Sequence, residues 1–172
     1  VAAGAAVTVG CLEVPLADAR EFGVMAADVA GRVVAFDEKP AQPRPIPGRP
    51  DTALASMGIY VFDARFLLDL LKRDAGIRES SHDFGRDVIP GAIAAAHVQA
   101  WPLRDLYHPD RQGYWRDVGT VDAYWQANLE LAGLLPELDL YDDHWPVWTA
   151  AAHAPPANFV LDGAGVRGHA VD

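Results

Sequence analysis

Apolar and polar residues alternate along the first part of the chain with the two-residue period that is typical of β-strands. In the segment 5–16, the side chains of Val7, Val9 and Cys11 fall on one side, which predicts a strand. The segment 22–40 predicts two further strands around a turn at Asp28–Gly31, because the glycine permits the backbone conformations of a tight turn.

Residues 55–63, ASMGIYVFD, carry apolar side chains on both faces, which predicts a strand buried in the middle of a sheet. The period then lengthens to that of a helix over residues 63–76, with Asp63 as N-cap and Gly76 just past the end. Further on, the patterns predict a helix over 83–97 that is disturbed around Pro90 and Gly91, a strand over 97–103 and a helix over 119–135 that starts near Thr120 or Asp122. This alternation favours the α/β class with a mixed sheet.

The pattern of apolar and polar residues changes after Leu135. Residues 136–157 show no sustained period and are interpreted as a linker, and residues 158–172 are rich in Gly and Val, as at the start of a β-type domain. The chain begins without methionine and ends without a closing element, so we expect it to be a fragment of a longer protein.

Composition narrows the possible partners. The 172 residues carry a net charge of −10, which disfavours binding to nucleic acid or to anionic membranes, because both require a basic surface. No apolar run reaches the length of about 18 residues that a membrane helix needs. The single cysteine, Cys11, excludes an internal disulfide and favours a cytosolic protein.

Charged residues stand where the third predicted strand ends. Glu38 and Lys39 are neighbours, so on a strand they point to opposite faces, and Pro40 then removes a hydrogen-bond donor and redirects the chain. Lysine suits a phosphate oxygen, and a carboxylate suits sugar hydroxyl groups. The alternative is a solvated strand end of the kind that is common in proteins.

Two aspartates have both a functional and a structural interpretation. Asp117 in YWRDVGT lies before a helix, where it either contributes to a Mg²⁺ site or caps the helix. Asp83 in SSHDFGRDVIP, with His82 before it, either caps the next helix or faces a ligand. The six histidines lack zinc-site spacing, and no serine lies in a G-x-S-x-G element.

Six motifs in order carry a resemblance to a known family. They are FGVM, FDEKPA, LASMGIYVFD, SSHDFGRDVIP, YWRDVGTVDAYWQANLEL and PELDLYD. Together they resemble the second half of the catalytic domain of bacterial glucose-1-phosphate adenylyltransferases. The E-K-P motif is shared by many sugar nucleotidyltransferases, whereas its combination with SSHDFG and YWRDVGT resembles the ADP-glucose branch.

The resemblance implies a partial Rossmann-like nucleotidyltransferase domain with a mixed sheet over residues 1–135 and the start of a left-handed β-helix over 158–172. The implied reaction joins ATP and glucose 1-phosphate to give ADP-glucose and pyrophosphate, with Mg²⁺, in the cytoplasm, for glycogen synthesis. A full-length homotetramer is also implied. The residues that match the family's glucose 1-phosphate contacts are Gly23, Glu38, Lys39 and Ser56. Asp117 matches a metal-binding aspartate, and the resemblance implies a catalytic role for Asp117 and Lys39. Asp83 matches a position near the active site.

One family signature is missing from these residues. The glycine-rich loop G-G-x-G-x-R-L and a second metal-binding aspartate belong to the family's upstream half, so we expect the isolated chain to be inactive and only marginally stable. Two alternatives remain open. One is a nucleotidyltransferase for another base or sugar, and the other is a non-catalytic regulatory subunit that keeps the sugar-phosphate half as a binding module.

Overall fold

The structure is a computed structural model that describes residues 4–134 and 136–146, together with the backbone of two strands at 158–161 and 168–171. The chain divides into two compact units, Val1–Leu129 and Glu130–Asp172. Within the described residues, no helix is both long enough and apolar enough to span a membrane.

A five-stranded mixed sheet forms the centre of the first unit. β1 pairs antiparallel with β4 on one side and parallel with β5 on the other, and β2 and β3 form an antiparallel hairpin whose β2 strand also pairs with β4. The predicted α/β class with a mixed sheet is therefore confirmed. The strands are β1 (Val7–Pro15), β2 (Gly23–Ala27), β3 (Val33–Glu38), β4 (Thr52–Phe62) and β5 (Val98–Pro102), in the spatial order β3-β2-β4-β1-β5.

The first helix begins and ends as its capping residues require. α1 (Ala64–Ala75) is capped by Asp63, whose side chain accepts a hydrogen bond from the Phe66 backbone N–H at 2.9 Å, and Gly76 follows its last turn. The predicted cap and stop are confirmed. α2 spans Ile89–Ala95 and α3 spans Val121–Leu131.

The irregularity in the second predicted helix lies earlier than expected. A π-helical turn over Phe84–Val88 precedes α2, so the prediction of a disturbance at Pro90 and Gly91 was wrong. Pro90 stands at the start of α2, where its fixed φ is compatible with the helix. The looser turn places Gly85 and Val88 in buried positions beside the sheet.

The main core lies on one face of the sheet. Val7, Val9 and Cys11 of β1 are fully buried, as their alternation predicted, and belong to one apolar cluster with Leu70 of α1 and Ile89 of α2. This packing fixes the strand ends against α1 and the π-helical turn.

β4 departs from the expectation of burial on both faces. Its first half is buried at Ala53 and Ala55, but Ile59 is 53% exposed and Val61 is 55% exposed. The two exposed residues fall on the face opposite the helices. Apolar residues on both faces therefore do not establish that a strand is buried on both.

In the second unit, residues 136–146 form turns and bends without a helix or strand. The rest of the predicted linker, 147–157, lies outside the described residues. Beyond it, β6 (Asn158–Leu161) and β7 (Gly168–Val171) pair as an antiparallel ribbon.

Candidate active site

A cavity of about 310 Å³ opens at the edge of the first unit where β2 begins and β3 ends. All six residues selected from the sequence line it. These are Gly23, Glu38, Lys39, Ser56, Asp83 and Asp117, and the other lining residues are Glu21, Phe22, Met57, Gly58, Tyr60, Phe84, Gly85 and Trp115. Residues from five separate segments of the chain thus meet at one place.

The β2–β3 ladder places the two charged residues of the E-K-P motif. Glu38 is the last residue of β3 and pairs with Gly23 of β2, and the Lys39 backbone N–H donates to the carbonyl oxygen of Phe22 at 3.1 Å. Lys39 has a φ of 46°, a left-handed conformation that costs a non-glycine residue free energy. Strain of this kind persists where the surrounding structure enforces it, as the ladder does here.

The proline-rich segment that follows Lys39 is held away from the cavity. Arg44 pairs with Asp37 at 3.0 Å, and Nη2 of Arg49 donates to Oε1 of Glu13 on β1 at 2.9 Å. None of residues 40–50 lines the cavity. The prolines and these ion pairs therefore direct the chain away while the Lys39 side chain remains exposed at the cavity.

A bulge in β4 places Ser56 and Tyr60 beside each other. Across the ladder, Val9 pairs with Tyr60 but Cys11 pairs with Ser56, so two additional residues of β4 are accommodated in between. Gly58 lies within the bulge with a φ of 70°, and its N–H donates to the Ser56 hydroxyl at 3.2 Å. Bulges commonly redirect side chains next to active sites.

Aromatic rings that the sequence reasoning did not select also line the cavity. Phe84 stacks on Tyr60 at a centroid distance of 5.8 Å, and Phe22 meets Trp115 edge-to-face at 6.0 Å. Flat apolar faces beside carboxylates suit the carbon and hydroxyl faces of a sugar ring. Each of the four lies within four residues of a selected residue, namely Gly23, Ser56, Asp83 or Asp117, and this closeness in sequence was the signal that would have found them.

Side-chain hydrogen bonds fix the segment Ser80–Gly85. The Ser80 hydroxyl donates to Oδ1 of Asp74 at 2.6 Å, and Nδ1 of His82 lies 2.7 Å from its Oδ2. These partners hold the pKa of Asp74 below its ordinary value, the Ser80 hydrogen bond having the largest effect. His82, with a φ of 58°, therefore supports the segment from outside the cavity and does not cap the helix.

Asp83 caps the helical turn that follows it and also lines the cavity. Its Oδ1 accepts hydrogen bonds from the backbone N–H groups of Gly85 at 2.8 Å and Arg86 at 2.9 Å, which caps the π-helical turn. The residue also lines the cavity. Capping thus accounts for its conformation, and its position leaves the carboxylate within the candidate site.

Asp117 is not the cap of the helix that follows it. The Thr120 hydroxyl accepts from the Ala123 N–H at 3.1 Å and caps α3, whereas Oδ1 of Asp117 accepts a local hydrogen bond from the Gly119 N–H at 3.1 Å. Asp117 is exposed and lines the cavity. The capping alternative for Asp117 is therefore wrong.

Burial raises the pKa of one residue at the cavity, Tyr60, and of one residue in the core, Cys11. Burial raises the pKa of Tyr60 above its ordinary value, with smaller contributions in the same direction from Glu38 and Asp83, so this hydroxyl stays protonated beside the two carboxylates. Burial also raises the pKa of Cys11 to about 12, which keeps it a thiol. Cys11 is accordingly not equipped to act as a nucleophile.

The fold and this arrangement of residues agree with sequence comparison. The model of the nucleotidyl transferase family matches residues 1–133, which is most of the chain. The chain belongs to the nucleotidyl transferase family.

Matches to individual relatives narrow the comparison from the family to one kind of enzyme. The chain is 54% identical over 174 residues to a glucose-1-phosphate adenylyltransferase of Paramagnetospirillum magneticum, a match that covers 99% of the chain and 41% of the relative. It is 57% identical over 169 residues to glucose-1-phosphate adenylyltransferase 2 of Alkalilimnicola ehrlichii, covering 98% and 40%. Against the enzyme of Rhizobium meliloti it is 54% identical over 173 residues, covering 97% and 40%. The chain thus spans about two fifths of the length of the curated relatives it matches.

Proposed function

We propose that this chain forms the sugar-phosphate half of the active site of a glucose-1-phosphate adenylyltransferase. The full-length protein would convert ATP and α-D-glucose 1-phosphate into ADP-glucose and pyrophosphate for glycogen synthesis. The observation that carries the proposal is the cavity that unites Gly23, Glu38, Lys39, Ser56 and Asp117. The names of the relatives support the same activity.

Each proposed role follows from the chemistry of the side chain. The Lys39 ammonium group would bind the phosphate of the substrate, and the half-buried Glu38 carboxylate would accept hydrogen bonds from sugar hydroxyls. The buried Ser56 and the backbone at Gly23 would complete the contacts. Asp83, already bonded to two backbone N–H groups, would add negative charge at the sugar end.

The reaction needs orientation more than proton transfer. An oxygen of the sugar phosphate forms a bond to the α-phosphorus of ATP, and the bond from that phosphorus to the bridging oxygen of pyrophosphate breaks. The attacking oxygen is already ionised near neutral pH, because the second pKa of a phosphate monoester is about 6. Lys39 would therefore act by holding the nucleophile in place and offsetting its charge.

Enzymes of the nucleotidyl transferase family generally use a divalent metal, and we propose Mg²⁺ here. Within the described residues, no group of three or more His, Cys, Asp or Glu side chains is arranged to hold a metal ion. A single carboxylate still fits Mg²⁺, which takes one or two carboxylates and fills its other positions with water and substrate phosphates. Asp117 would hold the ion, and the ion would supply neutralisation of phosphate charge.

The wider organisation belongs to the same proposal. Residues 1–135 would be the second half of a Rossmann-like catalytic domain, 136–157 a linker and 158–172 the start of a left-handed β-helix. The share of the relatives' length that the chain spans leaves room for an upstream half with the ATP site. We also propose a cytoplasmic homotetramer, which light scattering on the full-length protein would test.

The proposed activity is tested by pyrophosphate release from the full-length protein, meaning this chain joined to the upstream half of the domain. Glucose 1-phosphate would be supplied with ATP, UTP, GTP or dTTP in turn. We expect a clear preference for ATP. A preference for another nucleotide would assign the chain to a different nucleotidyltransferase, and the absence of turnover with intact sugar-phosphate binding would favour a regulatory subunit.

A further inference from the structure

The carboxylate of Glu38 lies in a slot between two glycines. A β-carbon added at Gly85 would lie 2.9 Å from Cδ of Glu38 and closer still to its Oε2. A β-carbon added at Gly23 would lie 2.9 Å from the same Oε2 and 2.5 Å from Cζ of Phe36. Non-bonded carbon atoms have their optimal separation at about 3.5–4.0 Å, so Glu38 occupies this position only because neither neighbour has a side chain.

The two glycines differ in what obstructs a side chain. At Gly23 the obstruction includes the ring of Phe36, which is 8% exposed and packed in the core. At Gly85 the three nearest atoms all belong to the Glu38 side chain, whose outer end can rotate away. Gly85 therefore limits the position of the Glu38 side chain and not the packing of the core.

Gly85 is itself held in place. Its N–H donates to Oδ1 of Asp83 at 2.8 Å, and it is buried in the first part of the π-helical turn. The preceding residues are fixed by the contacts of Ser80 and His82 with Asp74. Gly85 has no left-handed φ, so alanine is compatible with its backbone.

We propose that Gly85 is a positioning residue for Glu38, and that its lack of a side chain sets where the carboxylate meets the sugar hydroxyls of the substrate. The inference rests on the proposed function and adds a residue through which the segment Ser80–Gly85 acts on substrate binding. A methyl group at position 85 would leave the fold intact and displace the carboxylate. Stability and substrate use would then change independently.

The test compares Gly85→Ala with wild-type full-length protein. We expect the KM for glucose 1-phosphate to rise about tenfold or more, the size expected for losing a charge-assisted hydrogen bond. The KM for ATP should stay the same, and the melting temperature should be unchanged or higher, because alanine is the better helix former. Gly91→Ala is the matched control, since a β-carbon there would make only an ordinary contact with Leu70 at 3.7 Å.

A double-mutant cycle with Glu38→Ala decides whether the effect passes through the carboxylate. We expect Gly85→Ala to raise KM in the wild-type background and to have little further effect once Glu38 is replaced. The inference would be overturned if the two KM increases multiplied in the double mutant. A normal KM or a loss of cooperative unfolding in Gly85→Ala would also overturn it. A normal KM in Glu38→Ala alone would overturn it together with the proposed role of Glu38, whereas a large effect of Glu38→Ala with no effect of Gly85→Ala would overturn the inference only.

Discussion

Two walls of the cavity are built in different ways. The strand wall, formed by Gly23, Glu38, Lys39 and Ser56, is placed by the backbone ladders that join β2 to β3 and β1 to β4. The loop wall, Asp83–Gly85, is placed mainly by side chains of the residues just before it, through the contacts of Ser80 and His82 with Asp74. A non-glycine residue with positive φ stands in the strand wall at Lys39, and another, His82, comes directly before the loop wall.

The difference indicates which substitutions each wall tolerates. Backbone hydrogen bonds survive when a side chain is replaced, so a substitution in the strand wall should remove one proposed substrate contact and leave its neighbours in place. A substitution that removes a supporting partner of the loop wall releases several residues together. Enzyme kinetics should therefore change through the loss of a single contact when the strand wall is substituted. When a supporting partner of the loop wall is substituted, they should change because several residues lose their fixed positions.

The largest effect is expected at Asp117, which belongs to neither wall. Asp117→Asn keeps the local turn but removes the charge that a divalent cation favours, so kcat should fall by about 100-fold or more. Thr120 caps α3, so the melting temperature should barely change. Turnover across a Mg²⁺ titration, beside a thermal melt, measures both. A normal kcat at limiting Mg²⁺ would remove the metal role from Asp117.

The second-largest effect is expected from a substitution in the strand wall. Lys39→Ala should raise the KM for glucose 1-phosphate by about 10- to 150-fold, because one charge-assisted hydrogen bond to the phosphate is lost. The KM for ATP should be unaffected, and the fold should persist because the ladder supports the backbone. Lys72→Ala on α1 is the matched control for loss of a lysine. An unaltered KM for the sugar phosphate would make Lys39 an ordinary strand-end charge.

A smaller effect is expected from the loop wall. Asp74→Ala removes the shared partner of Ser80 and His82, so Asp83 and Gly85 should lose their fixed positions. The KM for glucose 1-phosphate should rise by about two- to tenfold, in line with one or two ordinary hydrogen bonds. Asp69→Ala on the same helix is the control, and steady-state kinetics with faster amide exchange at Ser80–Gly85 is the readout. Equal kinetics for both variants would contradict the supporting role of Asp74.

The smallest effect is a dependence of stability on pH. The Ser80 hydroxyl and then the His82 ring hold the pKa of Asp74 below its ordinary value. A carboxyl whose pKa is lower in the folded state stabilises the fold above its unfolded pKa, about 3.9, and this contribution disappears as the pH falls through the folded value. Melting temperatures from about pH 6 down to about pH 3 should fall more for wild type than for Asp74→Asn. Parallel curves would exclude Asp74 as a source of the pH dependence.

Local sequence signals predicted the parts of the structure that depend on local physics. Alternation located β1, Gly31 marked the β2–β3 turn and adopts a φ of 78°, and Asp63 capped α1 as expected. The β4 bulge was not predicted, because a bulge adds residues without breaking an apolar pattern. The link between Asp74 and His82 spans eight residues and joins a helix to a loop, so no period or motif reveals it.

In the candidate site, too, some features were predicted from the sequence and others depend on contacts between distant segments. Family resemblance selected residues that the structure brings to one cavity, but it gave no reason for Gly85, whose importance lies in the absence of a side chain beside Glu38. The stacked rings of Tyr60 and Phe84 were missed because the two residues were interpreted only as parts of a strand and a helix. Contacts between segments far apart in sequence require coordinates.

The most direct test of the central claim is a crystal structure of the full-length protein with ADP-glucose bound. We expect the glucose ring in the cavity between the two walls, with its hydroxyls on Glu38, the phosphate attached to glucose beside the Lys39 ammonium group, and Asp117 facing the phosphates. A glucose moiety bound elsewhere, with Glu38 and Lys39 exposed to solvent and free of contacts to it, would contradict the assignment of this cavity as the sugar-phosphate site.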